Sequence, residues 1–567
     1  MIAPRLSRAF CPSTQKFNSF SRNLATKIKF SKTEEQFYIT TPIYYVNDKP
    51  HIGHAYTTLA CDVIARFMRL DGKDVMFLTG TDEHGQKVQE SADKRGMEPI
   101  EFCDEVSSSF RRLVDVMKFT PDRFIRTTES SHCSAAQHFW SKLDENKSLY
   151  LGTYAGWYSV RDEAFYAESE LVDGKAPTGA EVEWVEKEPS YFFRLSEYQD
   201  RLLKLYEENP RFIAPESRRN EVISFVKGGL KDLSVSRTSF SWGVPVPDDP
   251  GHVMYVWVDA LTNYISALNY PSSKTDSKFN KFWPADVHIV GKDILRFHAV
   301  YWPALLMAAE LELPKRLHAH GWWTRDGAKI SKSVGNVVDP FELVEKYGVD
   351  QTRYFLMSEV PFGADGDFSD ASLVLKCNSN LSKQFGNLAQ RTLSLISRNF
   401  EGAVPPQGEL TDEDRKLLFG AEIILDSCRE QIASSQRIDM YCKQILSLVQ
   451  EGNKYIDEQA PWKVRKEGSD GLVRAGTILY NLMESLRKMA ILYLPITPIG
   501  ASKMLDSMKV PDSTEFRCIQ AILDPTKSIK AGTMIDEPQP VFPRLELDTE
   551  LAPGPPGSPK KKKGKQA

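Results

Sequence analysis

Apolar positions along the chain follow two rhythms. Phe37-Tyr38-Ile39-Thr40-Thr41 reads as a buried strand, and Ala55 to Leu70 carries apolar residues at helical spacing. Asp74 to Leu78 is a second short strand, running into Thr79-Gly80-Thr81-Asp82. Asp286-Val287-His288-Ile289-Val290 repeats the strand pattern, and a helical rhythm follows from Leu295 to Leu311. Strand then helix, repeated, predicts a doubly wound parallel α/β sheet with ligands at the carboxyl ends of its strands. From 149 to 252 the pattern breaks into Tyr, Trp, Glu and turn residues, which predicts short strands and then helices over Glu197–Glu208 and Glu216–Lys227. From about 373 the chain turns helical: Leu381, Phe385 and Leu388 share one face, with similar spacing around Ile423, Ile445 and Leu482. Pro495 and Pro498 close the last long helix.

Composition narrows the class. A chain of 567 residues implies several domains, and 41% hydrophobic with 26% charged residues is ordinary for a globular protein. There is no apolar run of about 18 residues, so no helical membrane span is expected. Eight scattered cysteines without a C-x-x-C pair argue for a reducing compartment and against a disulfide scaffold. The net charge of -4 hides an asymmetry. Residues 1–33 are basic, rich in Ser and Thr, free of Asp and Glu, and dotted with Leu and Phe, the pattern of a mitochondrial transit peptide. At the other end, 546–567 is Pro/Gly-rich and then Lys-rich, and reads as a solvated tail. The seven bases of 1–33 and the five of 560–567 leave 60 basic against 76 acidic residues in the body, 34–559, a charge near -16. Any polyanion bound by that body must be gripped by local patches.

Two motifs carry chemistry. His51-Ile52-Gly53-His54 follows a strand and stands at the mouth of the next helix. Two imidazoles one turn apart can donate to phosphate oxygens, Gly53 leaves bare backbone for a flat base, and a helix N-terminus favours anionic charge. Lys329-Ile330-Ser331-Lys332-Ser333 follows Asp326-Gly327, which places it on a turn or loop. Its two Lys, three apart with hydroxyls between, suit neutralisation of a departing pyrophosphate. Neither a Walker A loop nor G-x-G-x-x-G occurs: Gln86 stands where the Lys of a Walker loop would be.

With both motifs in this order, the chain resembles the class I aminoacyl-tRNA synthetases, and within them the methionyl-tRNA synthetases. The likeness rests on Thr41-Pro42-Ile43-Tyr44-Tyr45-Val46-Asn47, on Thr79-Gly80-Thr81-Asp82-Glu83-His84-Gly85 and on Tyr255-Val256-Trp257-Val258-Asp259-Ala260. Gly291-Lys292-Asp293-Ile294-Leu295-Arg296-Phe297-His298 completes it. The resemblance implies ATP with Mg²⁺, L-methionine and tRNA with a CAU anticodon as partners. It implies a methionine pocket of Ile43, Tyr45, Trp257, Ala260, Tyr264, Ile294 and His298, with Asp82 receiving the α-ammonium. His51, Gly53, His54, Gly291 and Asp293 would hold the nucleotide, with Lys329, Ser331 and Lys332 on the leaving group. Tyr45 and His298 are expected to offer polar atoms that a hydrocarbon side chain leaves unsatisfied. Asn387, Arg391 and Trp462 match anticodon readers, an edge-reading pair one helical turn apart and a stacking ring.

The same resemblance divides the chain. A split catalytic domain occupies 34–148 and 253–312, around an insertion at 149–252. A loop and stem-contact region covers 313–372, and a helical anticodon-binding domain 373–545. Where many family members carry a zinc knuckle, Ser159, Asp162, Ala176 and Gly179 stand here, so no structural zinc is expected. The insertion is then expected to fold on Trp157, Tyr158, Phe165, Tyr166 and Trp184. Further expectations are a monomer, no membrane association and a place in the mitochondrial matrix. The isoleucine, valine and leucine enzymes of the class need a longer editing insertion. A non-catalytic tRNA-binding relative would have no need of intact His51, His54, Lys329 and Lys332.

Overall fold

The computed structural model describes residues 35–159, 164–166, 168–177, 179–272, 277–325, 327–330 and 336–547. A parallel sheet lies at its centre. Its strands run, edge to edge, Arg123–Arg126, Asp74–Asp82, Gln36–Thr40, Val287–Gly291, Leu317–His320 and Ile213–Ala214. Tyr44–Tyr45 resumes the line of the first strand and pairs with Thr81 and Asp82. Phe37 to Thr40 are buried without interruption, as a parallel strand covered on both faces requires.

Side chains alternate between two cores. Ile39, Phe77 and Ile289 pack with Leu59, Val63 and Phe67 of the helix Ile52–Leu70, in a core that continues into the helical domain through Leu381, Phe385 and Ile445. Tyr38, Met76, Leu78 and Val290 face the other way, toward Leu261 of the helix Val256–Ser266 and Leu305. The chain winds outward from Gln36–Thr40 to Arg123–Arg126, then builds the opposite side from Ile213–Ala214, Val287–Gly291 and Leu317–His320. The order therefore reverses between Gln36–Thr40 and Val287–Gly291, where Ile39 pairs with Val287 and Thr40 with His288. A ligand crevice is expected at the carboxyl ends of these two strands.

Three sequence expectations change. The insertion begins at Leu149–Ser159, which pairs antiparallel with Ala164–Tyr166 and Glu183–Phe193. It is not closed on itself, because Ile213–Ala214 forms an edge of the catalytic sheet, and Leu202, Tyr206 and Val222 join the catalytic core. Trp184 is 50% exposed, edge-on to Trp157, so it covers that strand pair from outside. Tyr158 is buried, and the side chains of Phe165 and Tyr166 lie outside the described residues. Ile423 is 68% exposed although Ile445 and Leu482 are buried; periodicity marks a stripe but not what faces it. Lys329 ends a short antiparallel pair, Ala328–Lys329 against Trp323–Arg325, so the basic motif leaves from a hairpin.

Candidate active site

The first motif shapes its own helix terminus. His51 is the N-cap of Ile52–Leu70: its Nδ1 accepts the Gly53 N–H at 3.0 Å, and the His54 Nδ1 accepts the His51 N–H at 3.1 Å. Each imidazole thus spends Nδ1 as an acceptor, so the neutral ring must carry its proton on Nε2. The rings stack with centroids 3.9 Å apart. Burial lowers the pKa of His51, and that of His54 falls well below the usual value through burial and then the neighbouring His51. Both are neutral Nε2–H donors at physiological pH. A Cβ at Gly53 would come within 2.8 Å of the His51 ring, so the glycine is required by the cap itself.

Three further contacts anchor this helix. The Ile52 N–H donates to the Val338 carbonyl at 3.1 Å, just beyond the basic motif. Thr57 Oγ1 lies 2.7 Å from His320 Nε2, at the carboxyl end of Leu317–His320, and His320 Nδ1 lies 2.8 Å from the Gly321 carbonyl. Tyr44 Oη donates to the His54 carbonyl at 3.2 Å. Thr57 and His320 were not legible in the sequence, since neither sits in a motif.

The Val287–Gly291 strand delivers the second wall. A Cβ on Gly291 would meet Asp293 Oδ1 at 2.5 Å, so the carboxylate folds back over the bare glycine and would have to move for any larger residue. Asp293 Oδ1 accepts the Trp322 indole N–H at 3.2 Å. Its charge is felt by His51, His298 and His320, raising the pKa of each against the dominant effect of burial. Lys292 Nζ bonds both oxygens of Asp365, at 2.8 and 2.6 Å, and lies 4.3 Å over the Trp322 ring.

Beside it sits an aromatic pocket. Tyr264 Oη donates to His298 Nε2 at 2.6 Å, and His298 Nδ1 donates to the Ile294 carbonyl at 3.0 Å. Burial lowers the His298 pKa to about 4, keeping it neutral. Both His298 nitrogens are therefore engaged by the protein. Contrary to the sequence expectation, His298 offers no spare polar atom and serves as a wall that fixes Tyr264. Trp257 stacks on Phe297 at 3.8 Å and meets His298 edge-on. Tyr264, Ala260 and His298 are buried, while Ile43, Tyr45, Trp257 and Ile294 are half-buried around the same core. Lys87 Nζ lies 5.3 Å over the Tyr45 ring. His298 lies in a π-helical turn, Phe297–Tyr301, a distortion often found at functional sites. Asp82 ends its strand buried, opposite Tyr45. Ser331 and Lys332 lie outside the described residues, as does the Lys329 side chain.

Comparisons with known proteins decide what this crevice belongs to. The family described as tRNA synthetases class I (M) matches residues 37–183 and 169–393, and the anticodon binding domain of methionyl tRNA ligase matches 404–552. The methionine–tRNA ligase of Rickettsia felis is 55% identical over 521 residues, 90% of this chain and 99% of the relative. That of Brucella suis is 53% identical over 525 residues, 91% of this chain and 100% of the relative. Among solved structures, Mycobacterium tuberculosis methionyl-tRNA synthetase in complex with methionyl-adenylate is 48% identical with a TM-score of 0.86, over 90% of this chain and all of that one. Its apo form gives a TM-score of 0.81 at 45% identity, over 92% of this chain and all of that one.

The chain belongs to the class I methionyl-tRNA synthetases.

It is accordingly a methionine–tRNA ligase, and its helical domain carries the second cluster that the family resemblance singled out. Arg391, on the helix Asn387–Asn399, lies with its guanidinium 5.5 Å over the Trp462 ring and donates to Asp457 Oδ1 at 2.6 Å. Asn387 is exposed one turn before it. Trp462 is presented by a short helix that follows a break at Ala460, whose φ of 41° is uncommon for a residue with a Cβ. Lys463, Arg465 and Lys466 are exposed beside it. The structure thus gathers Asn387, Arg391 and Trp462 from segments 70 residues apart into one basic, aromatic face of the synthetase. Among the described residues no group of three His, Cys, Asp or Glu side chains could hold a metal, and no helix is long and apolar enough to cross a membrane.

Proposed function

We propose that this synthetase activates L-methionine with ATP and loads it onto tRNA with a CAU anticodon for protein synthesis in the mitochondrial matrix. The observation that carries the chemistry is the pair of neutral imidazoles, each locked through Nδ1 and presenting Nε2–H beside Asp293 and the aromatic pocket. A methionine carboxylate oxygen attacks the α-phosphorus in line, the bond to the bridging oxygen breaks, and pyrophosphate leaves with its Mg²⁺. No protein nucleophile is needed, so positioning and charge stabilisation supply the rate. His51 and His54 donate to phosphate oxygens, Gly53 and Gly291 lie against the nucleoside, and Asp293 accepts from ribose hydroxyls. Lys329, Ser331 and Lys332 neutralise the departing charge. Asp82 receives the α-ammonium, and Ile43, Tyr45, Trp257, Ala260, Tyr264, Ile294 and His298 enclose the thioether. A ribose hydroxyl of the terminal adenosine then attacks the acyl carbonyl and AMP leaves, while Asn387, Arg391 and Trp462 hold the anticodon. The enzyme works as a monomer, without structural zinc.

The matrix assignment is supported by the basic, acid-free stretch 1–33, which lies ahead of a family match that starts at residue 37. ATP–pyrophosphate exchange against a panel of amino acids tests the activity; exchange with methionine alone is expected, and exchange with another amino acid instead refutes the pocket. A reporter fused to residues 1–33 is expected in mitochondria, and a cytosolic reporter refutes the address. Lys332→Ala is expected to depress exchange far more than tRNA affinity, and equal losses would reassign the motif.

A further inference from the structure

A buried carboxylate that the mechanism does not use joins the two parts of the methionine site. Asp259 is fully buried on the helix Val256–Ser266, which also carries Trp257, Ala260 and Tyr264. Its Oδ2 lies 2.7 Å from His84 Nδ1, and its Oδ1 lies 2.6 Å from His132 Nε2. His132 Nδ1 in turn lies 2.7 Å from Ser266 Oγ, on the same helix as Asp259. Both imidazoles therefore donate to the carboxylate, which as an anion can only accept. His84 stands two residues after Asp82, and the turn between them is closed from other sides. Glu83 accepts from Thr81 Oγ1, Arg126 Nε and Thr128 Oγ1 at 2.6–2.7 Å, and its carbonyl accepts the Trp242 indole N–H at 2.6 Å. The bond from His84 to Asp259 ties this turn to the pocket helix.

We propose that Asp259 is a positioning residue for methionine. By holding His84 it fixes the distance between the Asp82 carboxylate, which takes the ammonium end, and the Trp257–Ala260–Tyr264 wall, which takes the thioether end. The proposal rests on the assignment of Asp82 and that wall to methionine. A charge-assisted bond buried at 2.7 Å is short and directional, and displacement of a binding group by about 1 Å can cost up to ~100-fold.

Pyrophosphate exchange by the full-length enzyme, with methionine and ATP varied separately, tests it. Asp259→Asn is expected to raise the KM for methionine by ~10-fold or more while the KM for ATP stays within about two-fold. His84→Ala, which leaves the carboxylate in place, is expected to do the same. His84→Asn, whose amide N–H stands where Nδ1–H did, is expected to restore most of the loss. Equal increases in both KM values, or no rescue by Asn, overturn the proposal. Asp82→Asn distinguishes the layers. If it raises the methionine KM while Asp259→Asn and His84→Ala leave it unchanged, the proposal falls alone. If Asp82→Asn itself has no effect on methionine, the assignment of Asp82 falls and the proposal with it.

Discussion

The proposed mechanism gives His51 two tasks on two different nitrogens, and they can be separated. Nδ1 caps the helix through the Gly53 N–H at 3.0 Å, while Nε2–H remains for substrate phosphate. Asn places its carbonyl oxygen near the position of Nδ1 and ranks among the best N-cap residues, but it has nothing in place of Nε2. Gln reaches farther, so its amide can approach the Nε2 position while leaving the cap unmade. A cap is worth about 1 kcal/mol, and a donor aimed at charge that develops in the transition state about 2.7–4 kcal/mol. His51→Asn is therefore expected to unfold at the same urea midpoint as the parent, with kcat for pyrophosphate exchange down by ~100- to 1000-fold. His51→Gln is expected to lose about 1 kcal/mol of stability and to keep more of its activity than Asn does. Urea unfolding followed by circular dichroism and exchange kinetics supply the two axes. An Asn variant that is stable and exchanges at the parental rate would mean that His51 is a helix cap and nothing more.

Three other outcomes are expected. Trp462→Ala should raise the KM for tRNA by ~5- to 150-fold, the worth of one stacked base, with exchange unchanged; impaired exchange would make Trp462 a structural residue. His298, held near pKa 4 by burial against an unfolded value near 6.5, contributes stability that is complete above pH 6.5 and is lost as pH falls toward 4. About 2 kcal/mol of the difference in unfolding free energy between pH 7.5 and pH 5 should vanish in His298→Gln, and an unaltered slope would place the titration elsewhere. Elemental analysis of the purified enzyme should find no stoichiometric zinc, since Ser159, Ala176 and Gly179 are not ligands of a tetrahedral N/S site.

The sheet and the His51–His54 helix were legible because a parallel strand and the helix after it each leave a short-range imprint. Phe37 to Thr41 is apolar or β-branched throughout, and Ala55 to Leu70 repeats at 3.6. What failed were inferences about the far side of a pattern. Ile423 and Trp184 have the composition of core, but what lies opposite a side chain is set by distant chain. For the same reason the clamp of His84, His132 and Asp259 was invisible: its members come together across 175 and 127 residues, and no period links them. The π-turn at Phe297–Tyr301 shows the converse limit, since one extra residue in a turn shifts the phase of the helical pattern without altering composition. The role of His298 was misread in this way. Its residue type suggested a free polar atom, and the folded backbone supplied a partner for each nitrogen.

The acidic body raises a question that its connections answer. A body charged near -16 does not draw tRNA by its overall field, so the recognition proposed above depends on how accurately its two local sites are spaced. The helix bearing His51 and His54 is fastened to the helical domain at two points. Asp62, at its middle, pairs with the buried Arg353 at 2.7 Å, and Arg353 also donates to the carbonyls of Pro495 and Ile496. Asp71, at its end, receives a bidentate bond from Arg429. Pro495 and Ile496 follow Leu494, the C-cap of the longest helix among the described residues, Gly468–Tyr493, which begins six residues after Trp462. Twenty-six residues at 1.5 Å each make that helix a strut of about 39 Å. Its two ends thus sit near Trp462, the ring proposed to stack on the anticodon, and at the guanidinium that locates the His51–His54 helix. Arg353 is fully buried with its partners satisfied, so this joint cannot slide without stranding a charge, which costs about 3–5 kcal/mol. With the proposed contacts, a tRNA whose anticodon and acceptor end do not match that fixed span is expected to lose one site when it occupies the other, so that specificity follows from geometry rather than from net charge.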